Sequence, residues 1–139
     1  MTDPTHSVAT RDSLVVLDLA HLARQTGGDL SLERELLDLF RVRAPELVDK
    51  MRLLAEASQS PTVCDLAHQL RGSALALGAQ SVAAAAEAVE QAFNSNVRGG
   101  NGEAAAFNTR DRSALAALSD AVAQALLAID AHLREGPTA

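Results

Sequence analysis

The stretch from Pro61 to Gly78, PTVCDLAHQLRGSALALG, decides the fold. At roughly 100° per residue, Val63, Leu66, Leu70, Ala74 and Leu77 fall on one apolar stripe. A helix with such a stripe must bury it against other elements, so the stretch predicts one wall of a helical core. Ser60-Pro61 predicts its start, with Ser as N-cap and Pro at the first helical position. Gly78 predicts its end, because glycine tolerates the left-handed cap conformation.

The flanking sequence repeats the pattern. Upstream, Leu32, Leu36, Leu37, Phe40, Ala44, Leu47, Met51 and Leu54 recur at helical spacing, behind a cap at Asp29 or Ser31. Pro45 lies inside this run and predicts a kink. Before it, Asp18 can cap a short helix that Gly27-Gly28 stops. Downstream, a helix begins near Ala79 with Val82, Ala85, Ala86, Val89 and Phe93 on one side. The run NSNVRGGNG, Asn94 to Gly102, reads as a loop. A last helix lies between Glu103 and Arg134, with its stripe at Leu115, Leu118, Val122, Leu126, Ile129 and Leu133. Asn108-Thr109 is a place where it can be interrupted. Four long amphipathic helices with mostly short loops predict an all-α, antiparallel four-helix bundle, with a short extra N-terminal helix across one end. The bundle is read as one domain over 13–135, after a disordered polar arm (1–12) and before a short tail (136–139).

Composition agrees and narrows the function. Hydrophobic residues make up 47% of the 139-residue chain but aromatic residues only 2%, so the core is built from Leu, Val, Ile and Ala. Ala and Leu favour helix, and β-branched and aromatic residues are scarce, which argues against a mainly β fold. The net charge of −6, without a basic stripe or stacking aromatics, argues against nucleic acid as a partner. One cysteine cannot make an internal disulfide framework, which fits a reducing cytoplasm. No segment reads as the roughly 20 apolar residues a bilayer span needs, and the N-terminus lacks an apolar signal region.

The chemistry lies on the outward side of the Pro61–Gly78 helix. The helical arithmetic puts His68 roughly 160° from the centre of the apolar stripe. Arg71, Gly72 and Leu75 follow it at three, four and seven residues and share its face. Cys64 lies one turn before it. A neutral imidazole is a nucleophile near pH 7, and a cation one turn away can neutralise an arriving phosphoryl group. A mid-helix glycine costs about 1 kcal/mol relative to alanine, so Gly72 suggests clearance for something that docks. An exposed Leu75 suggests a partner surface. The plainer readings are a solvated histidine and arginine, a glycine accommodating a neighbouring helix, and Ser73 as a small residue at the core edge. Cys64 and His68 are half of a metal site by spacing, but no second pair is evident, so no metal is expected. His21 and His132 join no constellation.

AHQLRGSALALGAQSV, Ala67 to Val82, resembles the signature of histidine-containing phosphotransfer (HPt) domains. LDLAHLARQTGGDLSLERELLDLF, Leu17 to Phe40, is similar to the family's opening, and Val89-Glu90 to the end of its next helix. The likeness runs from about Leu17 to Phe93. Arg71 stands where the family more often has Lys, and the Gly/Asn loop is longer.

The resemblance implies a phosphorelay intermediate. His68 would accept a phosphoryl group, through Nε2, from a receiver-domain phospho-aspartate and pass it to another receiver's aspartate. Arg71 would stabilise the phosphoryl group or steer the receiver's acidic pocket. Glu90 would accept the Nδ1 proton and hold the tautomer. Gly72 would give clearance, and Gly78 would allow the turn into the next helix. The partners would be receiver domains of response regulators and of a hybrid sensor histidine kinase. Mg²⁺ would belong to the receiver, leaving this chain without a cofactor. The protein would be a monomeric cytoplasmic phosphocarrier rather than a kinase, since no Gly-rich nucleotide-binding segment is present. The competing reading is a non-phosphorylated helical adaptor that binds or sequesters a response regulator. A four-helix metal enzyme would need inward carboxylates and Glu-x-x-His pairs, which the sequence lacks.

Overall fold

A computed structural model describes residues 15–98 and 109–135. These residues form five helices and, among them, no strand: α1 (Leu19–Thr26), α2 (Leu30–Glu56), α3 (Ser60–Leu77), α4 (Gln80–Arg98) and α5 (Thr109–Glu135). The predicted polar arm, the C-terminal tail and the Gly99 to Gly102 part of the Gly/Asn loop lie outside the described residues, as does Asn108.

Local chemistry sets the helix ends. Asp18 caps α1 by accepting from the His21 amide, and Asp29 caps α2 by accepting from Leu32. The start of α3 differs from its prediction. Gln59 holds the cap position without a side-chain bond, and Ser60 is already helical with Pro61 in the first turn. Helices α1, α2 and α3 end in the same way. A residue with positive φ lets two amides turn back to the last carbonyls, as Gly78 and Ala79 do to Leu75 and Ala74. Gly27 and Gly78 supply this conformation for α1 and α3, and Ser58 (φ 59°) supplies it for α2. Helix α2 runs through Pro45 as one element.

The four long helices close a ring of contacts, α2 on α3, α3 on α4, α4 on α5 and α5 back on α2, with α1 resting on α2 and α3. Side-chain ties show that α2 and α5 are antiparallel. Arg34 reaches the Leu133 carbonyl, Arg41 reaches Asp130, and Arg52 reaches Ser119. All five stripe residues of α3 are buried, together with Ala67. The α2 stripe is buried at Leu37, Phe40, Ala44, Leu47 and Met51, and also at Val48 and Ala55, but Leu32 is exposed. Alanines at 67, 74, 79, 83 and 86 are buried. Such small side chains let α3 and α4 approach closely, and theirs is the most extensive helix pairing.

Two further expectations are corrected. Asn94 to Arg98 belongs to α4 rather than to a loop. Asn and Ser only weakly disfavour helix, and a helix already under way adds each residue without paying again for nucleation. Helix α5 is long and apolar enough to cross a membrane by length and composition, against the expectation that no segment is. Alanines between its core positions raise its hydropathy without widening its buried stripe. Here it packs as the fourth wall, with Leu115, Leu118, Val122, Ala125 and Ile129 buried.

The first helix is bolted to the α3–α4 turn. The Asp18 amide donates to the Gly78 carbonyl at 2.9 Å, the Ser81 amide to the Val15 carbonyl at 3.2 Å, and the Val15 amide to Gln80 Oε1 at 3.2 Å. Gly78 has φ 80°, and a Cβ there would lie 2.7 Å from the Asp18 carbonyl oxygen. Both the turn and the close approach demand glycine at this position.

Candidate functional site

The α3 phase turns His68 away from the core, and its side chain is 66% exposed. The short α3–α4 turn brings α4 back alongside, so that Glu90 stands beside the ring. Glu90 Oε2 is 3.0 Å from His68 Nδ1. A carboxylate only accepts, so Nδ1 is the donor and the ring's lone pair lies on Nε2. The other oxygen, Oε1, is 3.0 Å from Arg71 Nε. That contact is an ion pair without hydrogen-bond alignment, since Arg71 Nε is buried and lacks an aligned acceptor. Arg71 Nη2 also lies 3.4 Å from His68 Nδ1. A nitrogen that donates to Glu90 has no lone pair left for the guanidinium, so the shorter carboxylate contact prevails and Arg71 is held by charge.

Cys64 underlies this cluster. Its thiol donates to the Glu90 backbone carbonyl at 3.6 Å, tying α3 to α4 one turn below His68. Burial, then the negative charges of Glu90 and Asp65, push the thiol above its ordinary range. It is therefore protonated at neutral pH and a poor nucleophile.

A groove of about 410 Å³ opens beside the ring. Helix α3 lines it with Cys64, Asp65, His68 and Arg71, and α4 lines it with Glu87, Glu90, Gln91 and Asn94. The structure thus brings together four of the sequence-derived residues: Cys64, His68, Arg71 and Glu90. Gly72 and Leu75 lie outside the groove but on the exposed surface of the same helix. Leu75 is 52% exposed. A Cβ at Gly72 would meet nothing within 4 Å, so this glycine does not accommodate another helix. Gly78 stands apart, at the joint with α1. Ser73 is exposed rather than at the core edge.

Sequence reasoning missed the Arg71–Glu90 pair and the polar lining at Asp65, Glu87, Gln91 and Asn94. The signal was available in part. Asp65 is one turn before His68, and Glu87, Gln91 and Asn94 stand at −3, +1 and +4 from Glu90, on neighbouring faces of α4. Among the described residues, no group of three or more His, Cys, Asp or Glu side chains is arranged to hold a metal ion.

A family model described as Hpt domain covers residues 35–132, well over half of the chain and including His68, Arg71 and Glu90. No curated protein and no solved structure gives a significant match.

Proposed function

Because the chain belongs to the Hpt domain family, whose members carry phosphoryl groups in phosphorelay signalling, we propose that His68 is the phospho-acceptor and passes the group between two receiver domains. The observation that carries this reading is the exposed imidazole whose Nδ1 is engaged by Glu90, which leaves the nucleophilic lone pair at Nε2.

In the forward step, Nε2 attacks the phosphorus of a receiver's aspartyl phosphate. The Nε2–P bond forms, the P–O bond to the aspartate breaks, and the carboxylate leaves with the electron pair. The ring becomes positive as it gives up its lone pair, and Glu90 keeps accepting from Nδ1–H throughout. The reverse step, with a second receiver's aspartate as nucleophile, empties the carrier. Positioning and electrostatics do most of the work in such transfers. The Mg²⁺ they use belongs, on this reading, to the receiver. Gly72 leaves room for the docking receiver and Leu75 gives it an apolar contact. We place the protein in the cytoplasm as a monomer, acting on receivers of a hybrid sensor kinase and of a response regulator.

Incubation with a radiolabelled phospho-receiver tests the reading. The label is expected on this chain as an acid-labile, base-stable phosphoryl group, and His68→Gln abolishes it. Binding of receivers without any labelling of the wild type would leave the adaptor reading instead.

A further inference from the structure

The contacts around His68 place two groups within one carboxylate's reach. Glu90 Oε2 takes the Nδ1 proton, and Glu90 Oε1 holds the Arg71 guanidinium at Nε. The guanidinium therefore lies on the Nδ1 side of the ring, with Nη2 3.4 Å from Nδ1, a nitrogen that cannot accept from it. Nothing in the ring attracts Arg71 to that position; the charge of Glu90 does. The reacting nitrogen, Nε2, is the ring's other nitrogen, across Cε1 from Nδ1.

We infer that Glu90 parks Arg71 away from the reacting nitrogen in the unphosphorylated protein, and that Arg71 exchanges this carboxylate for the phosphoryl oxygens once Nε2 is loaded. The inference rests on His68 being the acceptor. Three features make the exchange possible. The Arg71–Glu90 contact is an ion pair without an aligned hydrogen bond, so little directional bonding is lost when it opens. Arg71 is one helical turn from His68 and its side chain is about one-third exposed, so the guanidinium has room to swing around the ring edge. A phosphoryl group offers more negative charge than one carboxylate and three acceptor oxygens, and an arginine fork matches that geometry. Glu90 then keeps only its bond to Nδ1–H. Glu90 is thus a positioning residue with two effects. It fixes the tautomer, and it competes with the phosphoryl group for the one cation among the groove's lining residues.

Phosphoramidate tests this without any partner protein. As Nε2 attacks its phosphorus, the P–N bond breaks, ammonia leaves and the Nε2–P bond forms. Loading rate against donor concentration and the lifetime of the phosphohistidine are measured for wild type, Glu90→Gln, Arg71→Ala and the double variant. Glutamine can still accept from Nδ1–H but no longer holds Arg71 by charge. Glu90→Gln is expected to load about threefold to tenfold faster at low donor concentration, from tighter donor binding rather than a higher limiting rate, and to hold the phosphoryl group longer. In the Arg71→Ala background the same change is expected to alter loading by less than about twofold, since the freed cation is gone. The ¹⁵N shifts of His68 should show Nδ1–H retained in Glu90→Gln. An equal gain in both backgrounds would mean that Glu90 merely repels the donor, and the parking role falls. No gain, or slower loading, in Glu90→Gln overturns it as well. A wild type that never acquires an acid-labile phosphoryl group defeats the acceptor assignment itself, and this inference with it.

Discussion

Gly72 and Gly78 stand six residues apart near the end of α3, and the fold requires glycine at only one of them. At Gly78 the chain itself makes the demand, through the left-handed turn into α4 and the Asp18 carbonyl where a Cβ would lie. At Gly72 the chain makes no demand. The backbone is helical, the surroundings are open, and alanine would fit. A glycine that its own fold does not require, in a helix interior where it costs stability, points to a requirement from outside the molecule. On the proposed reading, the contrast separates a residue that builds the bundle from one that serves a docking receiver.

Substitution can break that contrast. Gly78→Val is expected to have the largest effect, because a β-branched residue must take a positive φ while pressing on Asp18. The left-handed conformation alone costs about 1–2 kcal/mol, and the clash adds to it, so thermal melting should drop by ten degrees or more. The folded fraction should still accept a phosphoryl group. Gly72→Leu should do the reverse, leaving the melt within about two degrees of wild type and slowing receiver-dependent transfer about tenfold or more, since most effects at a docking face appear as weaker association. Gly72→Ala sharpens the point: it should raise stability by about 0.4–1 kcal/mol while slowing transfer only slightly. If Gly72→Leu unfolds the protein, or transfers normally, the division between the two glycines is wrong.

The smallest expected effect concerns Cys64, half-buried one turn before His68. Burial and the neighbouring carboxylates favour its neutral thiol, so alkylation by iodoacetamide should be slower than for a free cysteine at pH 7.5. The rate should climb up to about tenfold per pH unit and continue past the ordinary thiol range near about 8.5. The sign for stability follows. A thiol whose ionisation is harder in the folded state stabilises that state fully below the unfolded value, and the contribution is lost as pH rises from there through the folded value. Rapid alkylation at neutral pH would instead place Cys64 on the open face.

Much of this was legible in the sequence because helical phase is a strong signal. The α3 stripe predicts both what is buried and that His68 points out, and both hold. The Asp18 cap and the Gly27 and Gly78 stops are equally plain, since each residue does locally what its side chain dictates, whereas only the structure decides between Asp29 and Ser31 as the α2 cap in favour of Asp29. What escaped depends on distant partners or on weak preferences. Ser58 ends α2 in a conformation that normally announces itself with glycine. Asn94 to Arg98 look like a loop by composition but extend α4. Helical phase puts Arg71 on the His68 face, but spacing along one helix says nothing about a carboxylate on the next helix. Glu90 entered by resemblance to a family, and only the folded chain shows its two oxygens divided between His68 and Arg71.

The bolt that fastens Val15 and Asp18 to Gly78 and Ser81 lies ten residues along α3 from His68, about 15 Å by helical rise. Integrity is thereby secured at one pole of the molecule and trade conducted at the other. On the proposed reading, substitutions at Asp65 or Gly72 would alter receiver preference without touching the contacts that close the fold at Gly78.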